Sequence, residues 1–263
     1  MRIAGQRKAL ITGGGSGLGR LIAHRLHAAG ASVTVVDVDA DRVRKVAGEL
    51  GDRALGLAAD VRSAGDMAQA VRETEDAFGG LDTLVVSAGV FHIGSLEDTS
   101  EQDWDRTLGV NLKGAFMAVQ AAAPPLRSSG RGRIVTIGSD CGRRGFPRQV
   151  PYVASKFGLV GLTESVAAEL APDGVTANCV CPVGVPTTGM GQEVLDWKVR
   201  QAGESPEAIV AAAASTNPLG RNATEDDVAD AVLFLLSDQA GFVTGVTLDV
   251  DGGAHLGTVP GVR

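Results

Sequence analysis

The chain has 263 residues, 44% of them hydrophobic, and its 24 basic and 31 acidic side chains give a formal net charge of −7. This length suits one large α/β domain or at most two small ones, and the negative charge argues against nucleic acids and anionic membrane surfaces as partners. The apolar runs are only strand-length and the first is too short for a signal peptide, so we expect no membrane segment and a cytoplasmic location.

The chain begins with an apolar strand that leads into a glycine-rich turn. Residues 6–12 contain the run Ala-Leu-Ile, and residues 12–19 read T-G-G-G-S-G-L-G before an amphipathic helix that extends through residue 29. A strand that runs through glycines into a helix points backbone N–H groups and the positive helix end at a diphosphate. The spacing is T-G-x-x-x-G-x-G, not the G-x-G-x-x-G of the general dinucleotide fold. We predict a dinucleotide site here rather than a flexible loop, formed by Gly13, Gly15, Ser16, Gly17, Leu18 and Gly19.

An acidic residue ends the second predicted strand, residues 32–37. The Asp37 carboxylate stands where it can accept hydrogen bonds from the adenosine ribose hydroxyls. Alternatively, Asp37 could cap the next helix, although Asp39 could also fill that role. A 2′-phosphate would lie against the carboxylate, so Asp37 favours NAD over NADP. Arg42 and Arg44 follow closely, but on a helix they can be solvent-facing charges.

Strands and helices alternate along the rest of the chain with short connections. This alternation predicts a doubly wound, Rossmann-type parallel sheet of about seven strands flanked by helices, and no repeat or linker divides the single domain of residues 1–263. Further strands are predicted at residues 55–59, 84–86, 133–137, 175–180 and 246–250. Further helices are predicted at residues 63–78, 99–123, 150–171, 192–200, 206–214 and 224–236.

Ligands of such a sheet bind at the carboxyl ends of its strands. The third strand ends at Asp60 and Val61, where an adenine could lie.

The sixth strand carries Cys179 and Cys181, whose side chains share a face of the strand. A disulfide between two cysteines at this spacing would be badly strained. No second cysteine or histidine cluster completes a zinc site, so we expect reduced thiols and no metal.

Tyr152 and Lys156 lie four residues apart in the helix predicted at 150–171, one turn from each other on one face. A nearby ammonium group stabilises the phenolate and lowers the tyrosine pKa from its usual value of about 10. Such a pair can exchange a proton with an alcohol or ketone. The spacing also arises by chance, but Ser139 stands just past a strand and Asn111 lies on an apolar helix face. Asn111 is either a buried structural asparagine or part of the site.

Together these residues resemble the compact branch of the short-chain dehydrogenase/reductase family. The resemblance extends over nearly the whole chain, from residue 8 to residue 253. It rests on the phosphate turn at 12–19, the adenine contact at 60–61, the C-terminal turns at 244–245 and 251–253, and the catalytic positions Asn111, Ser139, Tyr152 and Lys156.

Two positions depart from the family pattern. Ser87 replaces the asparagine of the usual Asn-Ala-Gly turn after strand four, and Val183 replaces the glycine of the usual Pro-Gly after strand six. The first change removes one side-chain contact, and the second could reshape the nicotinamide pocket. The turn after strand four, Ser87, Ala88 and Gly89, still aligns with the family's cofactor contacts. After strand six, Val185 and Thr187 do so as well.

The resemblance implies reversible hydride transfer between a secondary alcohol and NAD, without a metal. Tyr152 would act as acid and base, and Ser139 would bind the substrate oxygen. Lys156 would lower the pKa of Tyr152 and bind the nicotinamide ribose, and Asn111 would hold a water that links Lys156 to solvent.

Two other functions fit the same sequence. One is an NADPH-linked reductase of 3-oxoacyl thioesters, against which Asp37 and the overall negative charge argue. The other is a dinucleotide-sensing or scaffold protein that has lost catalysis, although such a protein has no need to keep four catalytic positions in register.

Residues 185–218 form the longest poorly patterned stretch and are predicted to be a mobile lid over the substrate. An apolar surface on this lid would favour a substrate with a hydrophobic or cyclic body, but it could equally pack on the core or on a neighbouring subunit. The residues of this surface are Val194, Leu195, Trp197 and Val199.

The substrate itself is not apparent from the sequence. Candidate substrate contacts are His92, Gln149 and Trp197, the first two of which could equally be surface or loop residues. Arginines at 143, 144 and 148 could attract an acidic substrate or could be an ordinary basic loop. Finally, small residues in the helix at 150–171 and the family resemblance predict a homotetramer; these residues are Ala154, Gly158, Gly161, Ala167 and Ala168.

Overall fold

Seven strands form one parallel sheet in the computed structural model, which describes residues 6–256. The strands are β1 (Lys8–Thr12), β2 (Ser32–Asp37), β3 (Ala54–Ala58), β4 (Thr83–Val86), β5 (Arg133–Ile137), β6 (Thr176–Pro182) and β7 (Thr247–Val250). Their order across the sheet is β3-β2-β1-β4-β5-β6-β7, and every neighbouring pair is parallel. The predicted doubly wound sheet is confirmed.

Nine α-helices connect and flank these strands within residues 6–256. They are α1 (Gly17–Ala28), α2 (Ala40–Leu50), α3 (Ala64–Phe78), α4 (Glu101–Leu108), α5 (Gly114–Ser128), α6 (Val150–Leu170), α7 (Gly189–Ala202), α8 (Pro206–Ser215) and α9 (Glu225–Leu236). Because the chain crosses from β3 at the edge to β4 beside β1, the strand order reverses between β1 and β4. A crevice opens at such a reversal, at the carboxyl ends of the strands.

The two faces of the sheet carry separate apolar clusters. Helices α1, α2 and α9 cover one face with buried side chains that include Ile22, Val46 and Val232. Helices α3, α5 and α6 cover the other with side chains that include Met67, Leu126 and Leu159. Burial on both faces explains why the strands read as continuous apolar runs rather than alternating ones.

The helix predicted at residues 99–123 is instead two helices joined by a π-helical turn at Gly109–Lys113. Ser100 caps α4 in a reciprocal capping box with Asp103. The second helix also continues past its predicted end, with Pro124 and Pro125 inside it. Pro124 is on the exposed side, and the next buried residue, Leu126, packs against the sheet, so tertiary packing holds the helix through the prolines.

Residues 185–218 contain the two predicted helices as α7 and α8: α7 is longer than predicted at both ends, and α8 extends one residue past its predicted end. Neither helix has a buried residue. Among the helices of residues 6–256, none combines the length and the apolar composition that crossing a bilayer requires.

The three cysteine thiols are buried and unbridged. The Sγ atoms of Cys179 and Cys181 lie 3.8 Å apart on β6. Burial raises the pKa of the Cys141 thiol to about 12, so this thiol stays neutral. Within the described part of the chain, no group of three or more His, Cys, Asp or Glu side chains is arranged to hold a metal ion.

Candidate active site

The glycine turn after β1 packs directly against the turn after β4. Gly13 has φ +66°, and a Cβ on it would lie 2.6 Å from the Cα of Ala88, so only glycine fits there. The Thr12 hydroxyl accepts hydrogen bonds from the backbone N–H groups of Ser87 (3.2 Å) and Ala88 (3.3 Å). Two of the predicted cofactor segments therefore meet at the crevice between β1 and β4.

Helix α1 starts at this turn, and its N-terminus has no side-chain cap. Ser16 is the N-cap residue, but its hydroxyl accepts no hydrogen bond from the first turn of the helix. The N–H groups of this turn are the groups that bind anions at helix N-termini. Gly17, Leu18 and Gly19 form this turn, and a diphosphate site here stays a prediction.

The Asp37 carboxylate lies against the glycine turn. One oxygen accepts from the N–H of Gly15 at 3.1 Å, and the other accepts from the N–H of Asp39 at 3.2 Å. Asp39, not Asp37, caps α2 by accepting from Asp41 and Arg42. The capping alternative for Asp37 is therefore wrong. The Cβ of Arg42 lies beside Gly15 of the turn. The Arg42 guanidinium is nevertheless bonded to the Asp39 carboxylate at 3.1 Å.

Asp60 and Val61 follow β3 as predicted. The Arg62 guanidinium binds the Asp60 carboxylate at 2.6 to 3.0 Å and holds its pKa below its usual range. The Val61 side chain packs against Gly114 at the start of α5, where a Cβ would lie only 2.7 Å from it. An adenine contact by these two residues stays a prediction.

Tyr152 and Lys156 are both buried on α6, with 6% and 5% exposure. The Lys156 ammonium donates to the carbonyl of Ile137 at 2.8 Å and lies 5.6 Å from the centre of the Tyr152 ring. The tyrosine hydroxyl faces the Met190 thioether, 3.8 Å away, and the ring of Phe91 meets the Tyr152 ring edge-on at 4.8 Å. Contacts from β5, α7 and the loop after β4 thus hold the two side chains in place.

The lowered pKa that the sequence predicts for Tyr152 is not found. Burial removes the phenolate from water and raises the pKa of Tyr152, while the Ser139 hydroxyl acts in the opposite direction. Burial also lowers the pKa of Lys156. Both pKa shifts thus favour the uncharged forms, and burial is the largest cause of each.

Ser139 stands just past β5, on the same side of the sheet. Its hydroxyl donates to Asp140 at 3.0 Å and accepts from the backbone of Cys141 at 3.1 Å, which fixes its direction. Asp140 is itself largely buried, which raises its pKa. The Ser139 hydroxyl also lies close enough to Tyr152 to lower its pKa, against the larger effect of burial.

Asn111 occupies the π-helical turn and is 1% exposed. Its amide binds both backbone groups of Val90, accepting at 2.8 Å and donating at 3.0 Å, and also donates to the Ser155 hydroxyl at 3.0 Å. These contacts support the structural interpretation, because they hold the loop after β4 against α6. Its carbonyl oxygen and the Lys156 ammonium both lie within 4 Å of the place that a Cβ on Gly89 would occupy, so a role in the site stays a prediction.

The three candidate substrate residues lie in different surroundings. Both ring nitrogens of His92 face the start of α4, at 3.2 Å from Thr99 and 3.6 Å from Asp103, so this side chain anchors its loop. Gln149 accepts from the Cys141 thiol at 3.2 Å, two residues from Ser139. The Trp197 ring lies under the guanidinium of Arg148, which belongs to the loop before α6.

Two residues at Tyr152 have no signal in the sequence. Phe91 and Met190 reach the tyrosine from the loop after β4 and from the first turn of α7, and neither belongs to a motif. Of the positions after β6, Val185 is buried and Thr187 is exposed. Val183 continues the pairing of β6 through an N–H bond to the carbonyl of Val250, 3.2 Å long.

Comparison with known proteins agrees with this geometry. A family model described as enoyl-(acyl carrier protein) reductase matches residues 13–255. The chain is 41% identical to 2-(S)-hydroxypropyl-CoM dehydrogenase 3 of Xanthobacter autotrophicus, over 92% of this chain and 94% of that protein. It is also 41% identical to the (2S)-[(R)-hydroxy(phenyl)methyl]succinyl-CoA dehydrogenase subunit BbsD of Thauera aromatica, over 95% of this chain and 97% of that protein. The crystal structure of sorbitol-6-phosphate 2-dehydrogenase SrlD from Erwinia amylovora has a TM-score of 0.90 at 31% identity and covers 94% of this chain and 98% of its own.

Proposed function

Because the chain belongs to the short-chain dehydrogenase/reductase family of oxidoreductases, we propose that it interconverts a secondary alcohol and a ketone with NAD as the hydride carrier. The observation that supports this reaction best is the buried Tyr152 hydroxyl beside Ser139, with Lys156 one helical turn away. A buried phenol next to a hydroxyl and an ammonium group suits proton exchange with an alcohol.

The described residues fit a nicotinamide dinucleotide. The uncapped N-terminus of α1 suits a diphosphate, and no heavy atom lies within 4 Å of the place where a Cβ on Gly17 would point. Asp37 reaches the same turn and suits the adenosine ribose hydroxyls. When bound, the dinucleotide would supply or accept the hydride.

The protein's own part in the reaction is to manage the proton. Tyr152 would take the hydroxyl proton of the alcohol in oxidation and return it to the ketone in reduction. Since burial raises its pKa, it needs positive charge nearby, which Lys156 and the oxidised nicotinamide would contribute. Ser139 would orient the substrate oxygen, Lys156 would also bind the nicotinamide ribose, and Asn111 would hold a water beside Lys156.

A panel assay distinguishes this function from the two alternatives. Purified protein is mixed with NAD or NADP and a series of secondary alcohols, and in reverse with NADH or NADPH and ketones or 3-oxoacyl thioesters, while reduced nicotinamide absorbance is followed. Turnover of simple secondary alcohols with NAD supports the proposal. Turnover of 3-oxoacyl thioesters alone, with NADPH, would replace it, and cofactor binding without any turnover would indicate a sensing protein.

We also propose that residues 185–218 act as a lid over the substrate. Neither of its helices is buried, and its first helix already reaches the reactive tyrosine through Met190. Trp197→Ala should raise KM for the best substrate several-fold, because the ring lies on the lid face that would cover the substrate. KM from initial rates checks this, and an unchanged KM would indicate that the ring serves only packing.

A homotetramer is the proposed assembly. On α6 the place of a Cβ on Gly161 is open, and Phe157, one turn earlier, is 47% exposed. Gly158 and Ala167, by contrast, pack within the chain itself. An apolar, partly smooth helix face suits pairing with a twofold-related copy. Light scattering at micromolar concentration should give four times the chain mass, and a monomer would contradict this assembly.

A further inference from the structure

A loop with three arginines joins Ser139 to the helix of Tyr152. Arg143 pairs with Asp249 at 3.3 Å, and Arg144 pairs with Asp140 at 3.5 Å. Arg148, in contrast, has no carboxylate within ion-pair distance among residues 6–256. It is exposed and precedes Tyr152 by four residues, so an uncompensated cation stands just before the helix that carries the tyrosine.

The position of Arg148 is fixed by a side-chain contact, by its backbone conformation and by a hydrogen bond. Its guanidinium lies over the Trp197 ring, with the Cζ atom 5.8 Å from the ring centre, and such stacking orients a planar cation. Its backbone has φ +66°, a conformation that residues with a Cβ rarely adopt. The N–H of Gly94 donates to its carbonyl at 2.8 Å and holds it there.

Helix α7 connects this cation to the reactive tyrosine. Met190 in its first turn faces the Tyr152 hydroxyl, and Trp197 faces Arg148. These two residues are seven apart and therefore share a face, with Val194 between them. At 1.5 Å per residue the two ends of this face are separated by about 10 Å. One face of α7 thus runs from the tyrosine to the arginine through Met190, Val194 and Trp197, with the exposed Glu193 at its edge.

We propose that Arg148 determines substrate specificity by binding an anionic group, a carboxylate, sulfonate or phosphate, at the far end of the alcohol substrate. This inference rests on the proposed function. With the rise of α7 from Met190 to Trp197 as the guide, the anion would lie on the order of 10 Å from the carbon that is oxidised, and Met190, Val194 and Trp197 would cover the part between. A guanidinium offers such groups two parallel N–H bonds. Because the chain carries a net charge of −7, an anionic substrate needs a local cation of this kind.

The test compares matched pairs of secondary alcohols that end in a carboxylate or in the corresponding primary amide, over a series of spacer lengths. The unmodified protein should prefer the carboxylate in kcat/KM by about 10- to 100-fold, most strongly where the spacer places it about 10 Å from the carbinol carbon. This preference should weaken as salt rises. Sulfonate and phosphate analogues of the best spacer then identify which anion fits.

Variants separate recognition from packing. Arg148→Gln should bring the ratio of carboxylate to amide kcat/KM close to one, and Arg148→Lys should restore part of it. Arg143→Gln, in the same loop but paired with Asp249, is the matched control and should keep the full ratio. An equal loss for both substrates in Arg148→Gln would mean that the arginine only holds the loop against α7, and would overturn the proposal.

A binding assay keeps the proposal testable if no alcohol turns over. Calorimetry of the matched keto-carboxylate and keto-amide with the NAD complex measures binding alone, because a ketone and the oxidised cofactor cannot react with each other. Tighter binding of the carboxylate, lost in Arg148→Gln, supports anion recognition even if the proposed reaction fails. Equal affinities of the two compounds would overturn it, whatever the enzyme's activity.

Discussion

Tyr152→Phe should abolish turnover while NAD binding stays nearly intact. Phenylalanine keeps the buried ring and its edge-on contact with Phe91, and removes only the oxygen that faces the Met190 thioether at 3.8 Å. Packing therefore changes little, whereas the proton donor and acceptor is lost. A positioned acid or base contributes about 10²- to 10⁴-fold to rate, so kcat should fall at least about a hundredfold. Steady-state rates and calorimetric NAD affinity measure the two effects separately.

Lys156→Ala is the companion variant, and it should damage both turnover and NAD binding. The lysine is assigned both to the proton chemistry and to the ribose, and its removal also leaves the Ile137 carbonyl without the ammonium donor. A melting curve shows how much of the loss is stability rather than function.

If Tyr152→Phe kept more than about a few per cent of the rate, the proton-transfer role given to the tyrosine would be wrong.

Asp37→Ser combined with Val38→Arg should move cofactor preference from NAD toward NADP. A 2′-phosphate carries roughly −1.5 to −2 charges and would lie against the Asp37 carboxylate. Like charges at this range cost several kcal/mol, enough for about a hundredfold preference. Val38 is 73% exposed, so an arginine can replace it without loss of packing. The ratio of kcat/KM for the two cofactors measures the change.

A second charge variant controls for the general loss of an acid. Asp41→Ser removes an exposed carboxylate from the first turn of α2 and should leave the cofactor ratio unchanged. The nearest candidate cation, Arg42, is bonded to Asp39 and does not by itself favour NADP. Equal kcat/KM for NAD and NADP in the unmodified protein would mean that Asp37 does not have the role proposed here.

The sequence predicts the parts of this molecule that depend on local pattern. Strand–helix alternation predicts the sheet, because each short apolar run needs cover on both faces. The spacing of Tyr152 and Lys156 predicts one helix face, and the position of Ser139 after a strand places it at the correct edge. These relations hold over one turn or one strand end, where chain geometry leaves few alternatives.

The sequence does not predict what depends on distant neighbours. Met190 meets Tyr152 across thirty-eight residues, and Asn111 binds the backbone of Val90 rather than a partner in its own helix. The pKa of Tyr152 is raised because the phenol is buried. The spacing between Tyr152 and Lys156 gives no information about that burial. The continuation of α5 through two prolines depends on tertiary packing that outweighs a local breaker.

The π-helical turn at Gly109–Lys113 carries one residue more than regular winding needs. A π turn holds one residue more than the α-helical turn it replaces, and it absorbs that residue without turning the flanking helices away from their packing. Deleting one residue there should therefore let α4 and α5 keep their buried faces, but it would remove the bulge from which Asn111 reaches Val90. The length of these five positions thus bears on the loop after β4 more than on the sheet.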